Sequence, residues 1–288
     1  MNSALVTGGS GFIGQHLISL LSSEGFELKL LTRTPIDGFV NIKCDLQNNI
    51  PKDALKGVDT IFHLAGFTHD RGNDVLNQKL YYAVNVKATV QLAELAVKLG
   101  VSKFIFVSSV KAGGSSLNGE CLDEESIHEP EGIYGKTKRE AELKLIEIGR
   151  RSGMQISIIR PSLVYGPDVK GNLKMLISGI RKGWFPPLPE LGNRRSMIHV
   201  DDLVRSLLFV SKSDHVNGEI FIATDSVNYS SRDIYETICY LYGISIPKWG
   251  VPKIIFDSFN FLGKDYKYRV RKLLGSDCYS SKKLHDMG

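Results

Sequence analysis

The segment Thr7-Gly8-Gly9-Ser10-Gly11-Phe12-Ile13-Gly14 constrains this chain more than any other. It follows a short apolar run, Ala4 to Thr7, and opens a stretch to Leu21 in which Ile13, Leu17, Leu20 and Leu21 recur at helical spacing. Glycine at 8, 11 and 14 permits a tight turn and close approach of backbone to a pyrophosphate. The helix N-terminus at Phe12 and Ile13 then presents N–H donors and a positive dipole end. A glycine-rich turn that holds nothing has the same spelling. The position of this one, between the first strand and the first helix of a βαβ pattern, points to a dinucleotide.

Alternation continues for 160 residues. Strands are predicted at Glu27–Thr32, Val40–Cys44, Thr60–Ala65, Lys103–Ser109 and Gln155–Arg160, with helices at Leu76–Leu99 and Ile133–Gly149. That order implies an α/β fold, a Rossmann-type doubly wound parallel sheet of about seven strands covered on both faces. After Arg160, Pro161, Pro167, Pro186, Pro187 and Pro189 break the pattern. Helices are expected at Asn172–Lys182, Asp201–Ser211, Arg232–Tyr242 and Lys253–Phe261, and a returning strand at Glu219–Ala223. The expected division is a dinucleotide-binding core of residues 1–160 with 198–223 returning to it. A smaller C-terminal substrate-binding lobe would comprise 161–197 and 224–288. The acid-rich stretch Glu120–Glu131 reads most simply as a solvated loop.

With 288 residues the chain needs no disulfide or metal to hold a core. Cys44, Cys121, Cys239 and Cys278 are scattered without a Cys-x-x-Cys pair, so no zinc site or disulfide framework is expected, and a reducing cytoplasm is the simplest location. No apolar run is long enough to span a membrane, and the N-terminus lacks the basic region of a signal peptide. The net charge of +5 is too small to argue for nucleic acid. Its excess gathers toward the C-terminus, read as a solvated face, with an anionic ligand or a membrane surface as the alternatives.

Two local features carry chemistry. Thr32-Arg33 closes the second strand where an acid would take the ribose 2′-hydroxyl of NAD. Arg33 could pair with a 2′-phosphate instead, which tilts the reading to NADP over NAD. Asp45 suits the adenine amino group or a plain turn. Tyr134 and Lys138 are four apart and share a helical face, so the cation is expected to lower the phenol pKa and ready it for proton exchange with a substrate hydroxyl or carbonyl. Ser109, at the carboxyl end of the fifth strand, could hold the reacting oxygen.

Taken with Asp45-Leu46, His63-Leu64-Ala65, Asn85, Ser108-Ser109, Arg160-Pro161, Tyr165-Gly166-Pro167 and Arg195–Leu203, these features resemble the extended short-chain dehydrogenases/reductases, the nucleotide-sugar epimerase/dehydratase group. The resemblance covers essentially the whole chain. It implies that Ser109, Tyr134 and Lys138 are catalytic and that Lys138 also holds the nicotinamide ribose. It puts Gly8, Gly11, Phe12, Ile13, Gly14, Arg33, Asp45, Leu46, His63, Leu64, Ala65 and Pro161 along the cofactor, and Asn172 and Arg195 near a sugar-nucleotide diphosphate. Dehydratases of the group carry Thr-Asp-Glu where this chain has Ser109-Val110-Lys111, which argues against dehydration.

The stretches around Ser109, Asn172 and Arg195 look most like bacterial enzymes of surface-polysaccharide synthesis. Those act at C4 of UDP-N-acetylhexosamines. The expectation is therefore a 4-keto reductase on a UDP-linked nucleotide sugar, with an NAD-dependent 4-epimerase as the alternative. A non-catalytic dinucleotide sensor and a small-molecule ketone or flavonol-type reductase are the remaining readings. No metal is implied, and a homodimer is compatible. Relatives usually continue into another helix past the position of Gly288.

Overall fold

A computed structural model describes residues 2–48, 50–68, 75–115, 120–126, 128–258 and 263–288. Its centre is a parallel sheet built from β1 (Ser3–Thr7), β2 (Glu27–Thr32), β3 (Val40–Lys43), β4 (Thr60–His63), β5 (Lys103–Val107), β6 (Gln155–Pro161) and β9 (Ile220–Ala223). The order is β3-β2-β1-β4-β5-β6-β9, and every neighbouring pair is parallel. The inner strands are apolar almost without alternation, as a sheet covered on both faces requires: Thr60-Ile61-Phe62-His63 is buried at every position.

One cover is α1 (Phe12–Ser23) with α6 (Val200–Lys212), whose Leu17, Leu21, Leu203 and Leu207 close on Val6, Phe62 and Ile105. The other is α3 (Thr89–Lys98) with α4 (Gly132–Ser152), whose Leu92, Ala96, Ala141 and Leu145 close on Leu5, Ile61 and Phe104. The expected single helix 76–99 is in fact α2 (Val75–Tyr82), a π-helical turn over Ala83–Ala88, then α3. The turn tucks Asn85 inward, a local requirement that apolar periodicity does not register.

Past Pro161 a second, three-stranded sheet appears that the sequence did not suggest. It comprises β7 (Leu163–Tyr165), β8 (Arg195–His199) and β10 (Asn228–Tyr229) in the order β10-β8-β7. Strands this short leave little alternation to read. α5 (Gly171–Arg181), α7 (Ser231–Leu241), α8 (Lys253–Ser258) and α9 (Lys264–Leu274) surround a separate apolar cluster of Ile180, Leu188, Tyr235, Ile238 and Leu274. The predicted end of the helix at Phe261 lies outside the described residues.

Two expectations are corrected here. Cys121 and Cys278 are joined in a disulfide, 157 residues apart in sequence; Cys44 and Cys239 are free and buried. The pairing of Leu122 with Tyr279 brings the flanking cysteines together, which spacing alone cannot show. It also removes the ground on which a reducing compartment was expected. The acidic loop is not wholly solvated either, since the Glu124 carboxylate accepts the N–H of Ile222 at 2.6 Å on the outermost strand, β9. Among the described residues no helix is long and apolar enough to cross a membrane.

Candidate active site

The glycine loop is shaped by contact with its neighbours. Gly8 has φ +75°, and a Cβ there would lie 2.7 Å from the Ala65 nitrogen; one on Gly14 would lie 2.2 Å from the Gly8 carbonyl oxygen. Side chains at 8 and 14 are therefore excluded sterically, and at 8 by backbone conformation as well. Gly11 is the N-cap of α1, with no side-chain cap and no acid in the first turn. The donors of the first turn at Phe12, Ile13 and Gly14 are thus left for an anion.

Behind the loop, Thr7 Oγ1 accepts the Ala65 N–H at 3.1 Å and lies 2.7 Å from His63 Nδ1. His63 Nε2 lies 2.8 Å from Thr89 Oγ1. Burial pushes the His63 imidazole down to about 3, and the Lys138 charge pushes the same way, so it stays neutral. The neutral ring carries one N–H, so it donates to one of these threonine hydroxyls and accepts from the other. His63 thus fixes the bend at Leu64 and Ala65 and exchanges no proton with solvent.

Ser109, Tyr134 and Lys138 come together at the carboxyl end of β5. The Lys138 Nζ is buried, donates to the Val107 carbonyl at 2.9 Å, and lies 4.5 Å from the Phe106 ring centroid and 6.0 Å from that of Tyr134. Ser109 hydrogen-bonds to Tyr134, and its Oγ also accepts the Lys111 N–H at 3.3 Å. The expected lowering of the phenol pKa is corrected. Burial pushes Tyr134 up to about 12, against the opposing pull of Ser109, with Tyr81 adding to the rise. Burial also pushes Lys138 down to about 8, against the nearby Glu142 carboxylate. Desolvation is the largest cause for both, because both groups leave water and the ammonium turns toward a carbonyl. A Cβ on Gly66 would lie 3.2 Å from the Lys138 Nζ, so this glycine keeps the space beside the ammonium clear.

The sequence reading named Ser108, Asn85 and Arg160 without giving them a role and missed Glu142 and Ser162 altogether. Glu142 and Arg160 form a fully buried ion pair at 2.6 Å, and the Ser108 hydroxyl donates to the same carboxylate at 2.5 Å. Glu142 continues the i, i+4 face of Tyr134 and Lys138, a signal present in the sequence. Asn85 donates to the Thr137 hydroxyl at 3.2 Å and pairs with both backbone groups of Phe67, tying the loop after β4 to α4. Among the described residues the Ser162 hydroxyl, just beyond Pro161 on β6, is the buried side-chain polar atom without a partner. Together with the uncapped start of α1 it fits a polar ligand lying along this sheet edge.

The outer candidates are less gathered. Arg33 is exposed past the end of β2. Asp45 accepts the Gln47 N–H at 3.1 Å and so caps its own turn, while Leu46 packs on the core. Pro161 ends β6 in register with Ala223. Asn172 is exposed in the first turn of α5. Arg195 turns toward the C-terminal segment, pairing with Asp277 at 3.7 Å and donating to the Lys272 carbonyl. Among the described residues no His/Cys/Asp/Glu cluster suits a metal.

The sequence pattern of the NAD dependent epimerase/dehydratase family matches residues 4–223. The UDP-glucose 4-epimerase of Vibrio cholerae is 32% identical over 279 residues, 91% of this chain and 81% of that protein. The N-acetyl-alpha-D-glucosaminyl-diphospho-ditrans,octacis-undecaprenol 4-epimerase of Escherichia coli O157:H7 is 28% identical, covering 100% of this chain and 90% of that one. MoeE5 in complex with UDP-glucose and NAD superposes with a TM-score of 0.76 at 26% identity, over 85% of this chain and 83% of its own.

Proposed function

This chain belongs to the NAD dependent epimerase/dehydratase family, and we propose that it is a 4-epimerase of a UDP-linked sugar. The observation that carries the reading is the meeting of Ser109, Tyr134 and Lys138 at the carboxyl edge of the sheet, the edge on which the α1 N-terminus opens. The two relatives from Vibrio cholerae and Escherichia coli O157:H7 are named as 4-epimerases, one of a UDP-sugar and one of a polyprenyl-diphosphate sugar. The Ser109-Val110-Lys111 stretch lacks the acid pair that dehydration needs.

The glycine loop, Ala65, Lys138 and Ser162 would hold the dinucleotide, which supplies the acceptor and donor of the C4 hydride. In our reading Ser109 donates a hydrogen bond to O4 and orients it. Tyr134 takes the O4 proton as C4 is oxidised and returns it when C4 is reduced on the opposite face. A phenol held near 12 with Lys138 already in place is a poor base at neutral pH, so further positive charge, as an oxidised nicotinamide would bring, must lower it when cofactor and substrate are bound. Lys138 is the cation the chain itself supplies, held by the Val107 carbonyl and facing the Glu142 charge. Segments 161–197 and 224–288 would supply the substrate-binding lobe, with exposed Asn172 free to meet a diphosphate and Arg195 able to do so only on leaving Asp277.

One observation favours a second reading. Arg33 is exposed at the end of β2, where a 2′-phosphate would sit, and NADPH suits a 4-keto reductase that releases its cofactor each turn. The test offers UDP-hexoses, UDP-N-acetylhexosamines, a polyprenyl-diphosphate sugar and 4-keto sugars to the purified chain. Interconversion of C4 epimers without added cofactor supports the epimerase. Stoichiometric NADPH consumption with a 4-keto sugar supports the reductase. Cofactor binding with no turnover on any of them makes the protein a sensor. Tyr134→Phe is expected to bind cofactor nearly as well as wild type and to lose about two to four orders of magnitude in turnover. Near-normal turnover removes Tyr134 from the mechanism.

A further inference from the structure

We propose that the surface where the ends of α5 and α7 meet the segment leading into α8 docks on an anionic lipid bilayer. This goes beyond the catalytic reading and does not depend on it, because it uses none of the active-site residues.

Large apolar side chains stand out in water there. Tyr240 is 79% exposed, Ile254 74%, Leu241 70%, and Trp184 and Trp249 62% each. The apolar cluster beneath is already filled by Ile180, Leu188, Tyr235 and Ile238, so these five have no place inside. The segments bearing them are tied together. The Arg181 guanidinium lies 4.7 Å from the Tyr242 ring centroid, joining the ends of α5 and α7. Val251 N–H donates to the Pro187 carbonyl at 2.9 Å, and Arg232 donates to the carbonyls of both Leu188 and Trp249, which sets the two loops side by side. An exposed apolar group of this size marks an interaction surface.

Charge selects the occupant. From Arg181 to Pro189 the chain carries Arg181 and Lys182, and from Tyr240 to Phe256 it carries Lys248 and Lys253. Neither stretch contains an Asp or Glu. Glu236, one turn before Tyr240 on α7, is paired with Arg232, which leaves Asp257 on α8 against Arg181, Lys182, Lys248 and Lys253. Tryptophan and tyrosine beside such an excess of lysine and arginine is the composition that sits at the headgroup level of an anionic membrane. A second copy of this chain is disfavoured, because a two-fold contact would set like charge against like charge. Among the described residues no helix is long enough to span, so the attachment is peripheral.

The experiment floats the full chain with phosphatidylcholine vesicles, with or without about a quarter phosphatidylglycerol. Wild type is expected to float with the phosphatidylglycerol vesicles at about 0.1 M salt and to lose at least about tenfold in partitioning at about 0.5 M. It should not float with phosphatidylcholine alone. Two double variants, Lys248→Glu/Lys253→Glu and Trp184→Ser/Trp249→Ser, are each expected to lose about tenfold or more while keeping wild-type circular dichroism and cofactor affinity. Lys52→Glu, in the 3₁₀ turn Lys52–Leu55 between β3 and β4 and outside this surface, should float normally. Wild type that stays unbound at low salt overturns the proposal, as does an equal loss in Lys52→Glu. Failure to float combined with a dimer that the tryptophan variant dissociates reassigns the surface to self-association.

Discussion

Arg33 is the residue on which the choice of dinucleotide turns. It follows the buried Thr32 at the end of β2 and is itself open to solvent. A charge-assisted bond to a 2′-phosphate is worth about 1.5–3 kcal/mol when sheltered, and exposure moves the expectation to the low end. Arg33→Ala should therefore weaken NADPH binding about tenfold and leave NADH unchanged, as read from dissociation constants for both cofactors in both proteins. If NADPH has no advantage in wild type, the arginine is a solvated side chain and the chain uses NAD, as the similar MoeE5 complex does.

The element that organises the chemistry is α4. Tyr134, Lys138 and Glu142 recur at four-residue spacing along one face, and each does a different thing because burial deepens along the helix. Gly135 lets this helix approach the turn after Ser109, since a Cβ there would lie 2.4 Å from the Lys111 carbonyl oxygen. Glu142 answers three cations at once, Arg160 and, at 3.4 Å, Arg139 by direct contact and Lys138 through space. Glu142→Gln leaves Arg160 buried beside a neutral amide, and such half-broken pairs cost about 3–5 kcal/mol. The denaturant midpoint should fall accordingly, and Glu142→Leu/Arg160→Met should recover most of the loss. The carboxylate also raises Lys138 against the effect of burial, so Glu142→Gln should shift the lysine's titration further down from about 8. An unchanged midpoint in the single variant contradicts the buried pair.

At the scale of the whole molecule, His63 ties the sheet to one helical layer, packed on Phe106 and bonded to Thr7 on β1 and Thr89 on α3. Its imidazole takes up a proton at about 3 in the folded chain against an ordinary 6.5. The folded pKa is depressed, so the stabilisation is whole above pH 6.5 and is lost as pH falls toward 3, where only the unfolded chain has been binding the proton. By about pH 4 the loss amounts to about 3 kcal/mol. Urea midpoints for wild type and His63→Gln between about pH 7 and about pH 4 measure it: the wild-type curve should fall more steeply. Parallel curves would mean that His63 is not the group responsible.

The sequence alone determined the parallel sheet and the place of the phosphate loop, because both depend on local rules. Apolar runs bounded by turns specify buried strands, and glycine at 14 is demanded by the Gly8 carbonyl within the same loop, although glycine at 8 also answers to Ala65 beyond β4. Ser109, Tyr134 and Lys138 were legible for the same reason, each standing at a strand end or a helix start. The states of those groups were not. The phenol rises and the ammonium falls because of how much protein covers them, a property of the assembled layers. The Cys121–Cys278 bridge, the Glu142–Arg160 pair and the π-helical turn that aims Asn85 were likewise decided only by tertiary structure. The bridge and the pair join residues from separate elements, and the turn serves a contact with the loop after β4. Nothing in local periodicity encodes which distant residues will share a place once the sheet has closed.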